Sequence, residues 1–309
     1  MKKSFSTLQH DIVRTLRDHD LEVVGTETAR NVVNLAKSLS LHSLDLLKRE
    51  PWGKKDAGNR MIRFSELGTP CTRQLLYKWY HPSYGTPPMA EPDDPYLPIK
   101  FTYGDYIEEL VFFLAKEAGH EVSDRQKKVK SMFPSTEWYV EGSMDGKIDG
   151  VLVDVKSAAD MSFKKYQRMG LDEENDSFGY RWQLDGYSYA DGTTERAFLF
   201  TNKHDGHIHV IDRSDTELLP IGGRVSLIGL RAEEFLDKGT LPERIPTKKT
   251  VNGEELPMVC SYCKFKWACY EGNVTGYISS GRPIYFVTKT PKGESFVEGK
   301  TKIRTPEAY

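Results

Sequence analysis

The chain has 309 residues, 38% hydrophobic and 28% charged, with a formal net charge of −2. This is the composition of an ordinary soluble globular protein, long enough for one large or two modest domains with a substantial core. The charge gives no general attraction for nucleic acid, so binding of that kind has to rely on local patches. Three basic runs exist, at Arg125, Lys127, Lys128 and Lys130, at Lys164, Lys165 and Arg168, and at Lys264 and Lys266. Each is by itself more often a solvated face than a phosphate track. The opening MKKSFSTLQHDIVRTL lacks an apolar stretch after its lysines, and no uncharged apolar run has spanning length, so the expectation is a cytoplasmic protein without membrane contact. No internal repeat or low-complexity tract is visible.

Residues 6–50 read as helices, with Val32, Val33, Leu35, Ala36, Leu39, Leu44, Leu46 and Leu47 apolar, up to a breaker at Pro51-Trp52-Gly53. Ser65 is the expected N-cap of a short helix leading to Cys71 and the run RQLLYKWY. The proline-rich residues 82–98 are expected to form an extended loop. From Tyr103, the spacing Ile107, Leu110, Val111, Leu114 predicts an amphipathic helix, with Gly104 and Glu108 one turn apart at its start. A strand is expected near Glu121–Val129, helices around Phe163–Met169 and across FGYRWQLDGYSYA, and a hairpin over Ala197–Asp212 turning at Asp205-Gly206. The tail, 276–309, is expected to form a hairpin or an ordered extension. The order predicts a mixed α/β (α+β) domain with a central sheet.

The stretch VEGSMDGKIDGVLVDVKSA, residues 140–158, carries the chemistry. Val140–Ile148 and Val151–Ser157 read as strands joined by Asp149-Gly150, a dipeptide suited to a type I′ turn. That turn fixes a register in which Ile148 faces Val151, Lys147 faces Leu152, Gly146 faces Val153 and Asp145 faces Asp154. Alternation puts Lys156 on the face of Asp154, and Met144, Ile148, Val151, Val153 and Val155 on the core face. Opposed carboxylates destabilise a sheet, and a cation is the natural remedy. The hairpin alone divides evenly between a cation site and a solvated acidic face.

Of the four cysteines, Cys71 stands alone and Cys260, Cys263 and Cys269 fall in CSYCKFKWAC. In a cytosolic chain such a group points to metal rather than disulfides. Spacing leaves iron–sulfur and zinc both open. A shared centre would bring Cys71 beside the C-terminal segment and staple the domain, so that metal loss costs folding.

Taken in order, these motifs resemble the RecB-like branch of the PD-(D/E)XK nuclease superfamily, and within it the iron–sulfur members: CRISPR-associated exonucleases, the AddB nuclease domain and related phage exonucleases. Asp145 with Asp154-Val155-Lys156 matches the D…(D/E)xK signature, Gln183 through Tyr187 matches QxxxY, and the split cysteines match the cluster. The resemblance covers residues 65–270. It departs from many members in carrying Glu108 where they have a histidine.

The resemblance implies a restriction-endonuclease-like core, a central mixed sheet flanked by helices. The expected organisation is an N-terminal helical extension (1–60), a nuclease domain closed by the cysteine cluster (61–275) and a C-terminal extension (276–309). It implies Mg²⁺ or Mn²⁺ held by Asp145, Asp154 and the Val155 carbonyl, with Glu108 binding directly or through water. Lys156 would orient or help deprotonate the attacking water, or stabilise the developing charge. Gln183 and Tyr187 share a helix face and would contact the DNA backbone or support the site. For Tyr187 a place in an aromatic face with Tyr180, Trp182 and Tyr189 stays open. Arg73 reaches a phosphate or is a surface helix residue. Lys264, Phe265, Lys266 and Trp267 offer stacking to single-stranded DNA, or shield the cluster. His204, His207 and His209, flanking a turn, are not read as ligands.

The cofactors implied are therefore Mg²⁺ or Mn²⁺ and a [4Fe–4S] cluster, with zinc the secondary occupant of Cys71, Cys260, Cys263 and Cys269. The implied activity is exonuclease action on single-stranded DNA or DNA ends in recombination, repair or processing. No G-x4-G-K-[ST] loop is present, so unwinding would come from a helicase or recombination partner. A non-catalytic DNA- or protein-binding subunit with a structural cluster, and a structure-specific endonuclease, are the competing readings. Oligomeric state is left open.

Overall fold

The computed structural model describes residues 3–18, 25–48, 60–79, 96–279, 282–288 and 301–303. The breaker at Pro51-Trp52-Gly53 and most of the proline-rich loop lie outside the described residues. After a 3-10 turn, the elements in chain order are α1 (Leu8–Asp18), α2 (Thr26–Lys48), β1 (Met61–Arg63), α3 (Phe64–Leu67), α4 (Thr72–Lys78) and α5 (Leu97–Glu117). There follow β2 (Val122–Ser123), β3 (Lys128–Met132), β4 (Tyr139–Ser143), β5 (Gly146–Ile148), β6 (Val151–Ala158), α6 (Asp160–Met169) and α7 (Tyr180–Asp191). Last come β7 (Arg196–Asn202), β8 (Ile208–Asp212), α8 (Ile221–Lys238), β9 (Lys248–Thr250), β10 (Gly253–Glu255), α9 (Met258–Ser261), α10 (Lys266–Cys269), β11 (Val274–Ser279), β12 (Arg282–Val287) and β13 (Thr301–Ile303).

The fold is mixed α/β. The chain divides into two compact units, one made of 1–53, 61–68 and 95–225, the other of 54–60, 69–94 and 226–309. Strand β11 thus runs across the expected boundary at 275/276, and α1 and α2 belong to the first unit.

The first unit is built on a five-stranded sheet in the order β2-β5-β6-β7-β8, with β6 and β7 parallel and the other neighbours antiparallel. The parallel pair is buried on both faces, which accounts for its near-continuous apolar runs VLVDV and AFLF. Leu8 and Ile12 of α1 and Val111, Phe112 and Ala115 of α5 form one core with Ile148, Val151, Val153, Val155, Ala197 and Leu199. Tyr166 of α6 packs on Phe200 with ring centroids 4.7 Å apart, on the face opposite that core. A second sheet, β1-β4-β3, pairs β4 parallel to β1 and antiparallel to β3.

Three sequence expectations need correction. The segments 140–148 and 121–129 are not single strands. Asp124 and Gln126 take positive φ values of 51° and 50°, and Met144 N–H donates to the Lys127 carbonyl at 3.0 Å. Both strands therefore bend together and continue in a different sheet. Ser65 is not an N-cap. Arg63 occupies that position in α3, its N–H donating to Glu66 Oε2 at 2.9 Å, while Cys71 precedes α4. Helix α5 begins at Leu97, six residues before Tyr103, because Pro98 is tolerated in a first turn whose N–H groups have no partners anyway.

The second unit has an antiparallel sheet in the order β13-β11-β12-β10-β9. The expected tail hairpin is its β11–β12 pair, and α9, α10 and β12 enclose a core of Leu256, Cys260, Trp267, Tyr270, Val274 and Tyr285.

Candidate active site

The Asp149-Gly150 turn has positive φ at both positions, 51° and 89°, the signature of type I′. The ladder it starts has the expected register, Ile148 with Val151, Lys147 with Leu152 and Gly146 with Val153. There it ends. Asp145 has left the ladder at the bend, and its Oδ2 instead accepts a hydrogen bond from the Val155 N–H at 2.8 Å. The two aspartates meet through a side-chain-to-backbone bond rather than as a cross-strand pair.

Asp154 lies in the middle of β6 and is 1% exposed. The Lys156 ammonium stands 2.7 Å from its Oδ2, while Oδ1 has no hydrogen-bond partner among the described residues. Burial pushes the Asp154 carboxyl up to about 7, Lys156 opposes the shift and Asp145 adds to it. Asp145 is also raised, burial outweighing Lys156, the Val155 N–H and Arg125. For Lys156 burial alone would lower the pKa, but the two carboxylates overcome it and hold the side chain as an ammonium. An isolated buried charge is costly, and here two acids share one cation.

Glu108 projects from α5, where its Oε1 accepts from Arg125 at 2.9 Å and from Gln126 at 2.8 Å. Burial, and then Asp145, push Glu108 up to about 8 against the pull of Arg125. Arg125 also donates to Glu109 at 2.8 Å and to the Asp145 carbonyl, with its guanidinium 3.7 Å from the centre of the Phe112 ring. In the sequence Arg125 belongs to a basic run that reads as a solvated face or a phosphate track. It is instead the clamp between α5 and the bend that carries Asp145.

Gln183 and Tyr187 share the face of α7 turned toward the acids. The Gln183 side chain hydrogen-bonds to Tyr187, whose hydroxyl is pushed up by burial and then by Asp154 and Asp145. The Tyr187 ring packs on Phe64 at 4.5 Å, so it is at once an aromatic core residue and a wall of the site. Tyr180, three residues before Gln183, lies with its ring centre 5.3 Å from the Lys156 ammonium. Its i, i+3, i+7 relation to Gln183 and Tyr187 was a signal available in the sequence.

Helix α7 is fixed from its other side. Asp185 is fully buried and accepts from Arg196 Nε at 2.7 Å and from the Leu219 N–H at 3.1 Å. Asp176 caps the first turn, accepting from the N–H groups of Tyr180 and Arg181 at 2.9 and 2.8 Å. Just before the helix, Gly179 (φ 72°) crosses Gly68 so closely that a Cβ on either would lie 2.3 Å from the other's backbone.

The cysteines gather in the second unit. Burial, followed by the proximity of Cys71, Cys263 and Cys269, pushes the Cys260 thiol up to about 12. Cys263 is pushed up to about 11 by burial, against a hydrogen bond from the Phe265 N–H. Arg73 lies near Cys269 and donates to the Pro242 carbonyl at 2.8 Å and to the Tyr77 hydroxyl at 3.3 Å. Phe265, Lys266 and Trp267 are all buried, Trp267 edge-on to Tyr285 at 6.0 Å. Among the described residues no three His, Cys, Asp or Glu side chains stand together as ready-made ligands of one ion. Two carboxylates and a carbonyl still fit Mg²⁺, which commonly takes one or two carboxylates and keeps its waters.

No protein-family model and no curated protein matches the chain. Among solved structures it is similar to an alkaline exonuclease (LHK-Exo) from Laribacter hongkongensis, with 18% identity and a TM-score of 0.31 over 40% of this chain. The chain spans 64% of the length of that exonuclease. It is also similar to the structure of SSO0001, with 14% identity and a TM-score of 0.40, over 78% of this chain and 95% of the other. No described helix is long and apolar enough to cross a membrane.

Proposed function

We propose that the first unit is a divalent-metal-dependent deoxyribonuclease. The observation that carries the reading is Asp154, a fully buried carboxylate with one unpartnered oxygen, beside a second raised carboxylate and a lysine held as ammonium. Buried acids in that state lack positive charge, and Asp145, Asp154 and the Val155 carbonyl would supply it by holding Mg²⁺ or Mn²⁺. Glu108 is a further acidic ligand once Arg125 releases it. A bound cation contributes charge neutralisation on a phosphodiester and an acidified water. In this reading Lys156 stabilises charge growing on the phosphate and orients the attacking water, while Tyr180 and Tyr187 wall it off from bulk solvent. Gln183 and Tyr187 steady the strand at its backbone.

The finer reading is an exonuclease acting on single strands or DNA ends, in recombination, repair or DNA processing, with a helicase or recombination protein delivering the strand. The four cysteines would hold a [4Fe–4S] cluster. What supports a shared metal centre is that Cys71, Cys263 and Cys269 all lie close enough to Cys260 to raise its thiol, and soft thiolates in a set of four suit an iron–sulfur cluster. Arg73, tied to the cysteine region, then acts as a support of that centre.

The test is digestion of linear DNA labelled at either end, in Mn²⁺ or in EDTA, by the intact protein and by Lys156→Ala. Metal-dependent cleavage that drops by roughly 10²-fold or more in the variant is expected. Equal cleavage by both proteins, or none by either, would sink the assignment.

A further inference from the structure

Tyr187 also borders a second feature of the first unit that the chemistry above leaves unused. It is a pocket of about 300 Å³ between β1, α3, β3 and β4, with Phe64 and Tyr187 in its wall and Arg63, Lys128, Glu141 and Ser65 around it. Strand register sets Arg63 beside Glu141 across the β1–β4 pair, and Lys128 enters from β3. Among the described residues no ion pair engages any of the three. Arg63, Lys128 and Ser65 are exposed, so the pocket opens to solvent at its cationic side.

We infer that this pocket receives an internal nucleotide of the substrate strand, with Arg63 and Lys128 on its phosphodiester and the base directed to the Phe64–Tyr187 wall. The inference rests on the nuclease reading above and specifies how that site holds its strand. Charge selects the ligand. Two cations and one carboxylate leave a single net positive charge, which matches a phosphodiester of charge −1. A terminal phosphate, at about −1.5 to −2, would instead leave uncompensated negative charge beside Glu141. The partly apolar lining favours a nucleotide over an inorganic anion, because a sugar and base can cover apolar surface that a small ion leaves wet. Position favours the substrate strand, since Tyr187 borders the pocket and also feels the charges of Asp145 and Asp154.

The test is equilibrium binding of fluorescein-labelled single-stranded DNA in EDTA, read by anisotropy, so that cleavage plays no part. Ser65→Trp, which fills the mouth, should weaken binding by about fivefold or more. Arg63→Ala with Lys128→Ala should do the same and make the log–log salt slope shallower by about 0.7, the share of one phosphate. Glu141→Gln should act in the opposite direction and tighten binding, which a folding defect would not mimic; thermal melting of each variant checks the fold. A 5′-phosphorylated strand and its 5′-hydroxyl counterpart should bind alike. The inference is overturned if Ser65→Trp folds and binds as the parent does, or if the parent binds no single-stranded DNA. It is equally overturned if a 5′-phosphate tightens binding through Arg63, which would make the pocket an end sensor. Failure of the nuclease reading is seen separately, as absent cleavage by a protein whose binding still depends on the pocket.

Discussion

Replacing Asp185 with alanine takes the counter-charge from a guanidinium that has no water to turn to. Arg196 is 1% exposed and Asp185 is fully buried. After the substitution Arg196 keeps only neutral acceptors, the Thr194 carbonyl at 3.0 Å and the Thr216 carbonyl and hydroxyl at 3.0 and 3.1 Å. Arg213, whose Nε lies 3.9 Å from the same carboxylate oxygen, becomes a second cation facing the first. Deleting one partner of a buried pair costs about 3–5 kcal/mol. The Leu219 N–H also loses its acceptor, at about 1 kcal/mol more. The expected loss is therefore about 4–6 kcal/mol, a large share of the ~5–15 kcal/mol that holds a typical domain together. Asp185→Asn keeps the shape and one acceptor oxygen, and should cost about half as much. Urea unfolding followed by circular dichroism reads this as a drop in the midpoint at constant slope for the transition of the first unit. A loss below about 1 kcal/mol for Asp185→Ala would refute the claim that this pair anchors α7.

Other consequences are equally open to measurement. Gly68→Ala puts a Cβ 2.3 Å from the Gly179 backbone and should cost at least about 2 kcal/mol in thermal melts. Gly104→Ala, with nothing among the described residues within 4 Å of its Cβ and a position inside α5, should be neutral or gain up to about 1 kcal/mol; equal effects at the two sites would contradict the packing. Asp154 and Glu108, raised to about 7 and about 8, hold protons below those values, and a cation has to displace them. Mn²⁺ affinity should therefore strengthen with rising pH between about pH 6 and pH 9, with proton release visible in calorimetry; a flat profile rules this out. Cys260→Ser should lower iron and acid-labile sulfide content after anaerobic purification. It should also lower the melting point of the second unit, whose core Cys260 shares with Trp267. Stoichiometric zinc in the parent protein would rule out the iron reading.

Some of the site was local enough to read. A type I′ turn at Asp149-Gly150 admits one register, and that register alone puts Asp154 and Lys156 on one face of β6 with Val151, Val153 and Val155 on the other. Gln183 and Tyr187 share a face because a helix repeats every 3.6 residues. The bend at Asp145 was not legible. It depends on left-handed backbone at Asp124 and Gln126, twenty residues upstream, where neither residue is a glycine to announce it.

What the sequence determined by itself was thus whatever backbone periodicity and turn chemistry fix over a few residues: the hairpin register, the face shared by Asp154 and Lys156, and the helical pairing of Gln183 with Tyr187. Tertiary structure alone decided where those faces meet. It turned Arg125 from a surface charge into the clamp on Glu108, buried Asp185 against Arg196 to set α7, and opened a pocket beside Tyr187 with cations from β1 and β3. The physical reason is that these relations lie between residues distant in sequence, and burial and electrostatic field are properties of the assembled neighbourhood rather than of any segment within it.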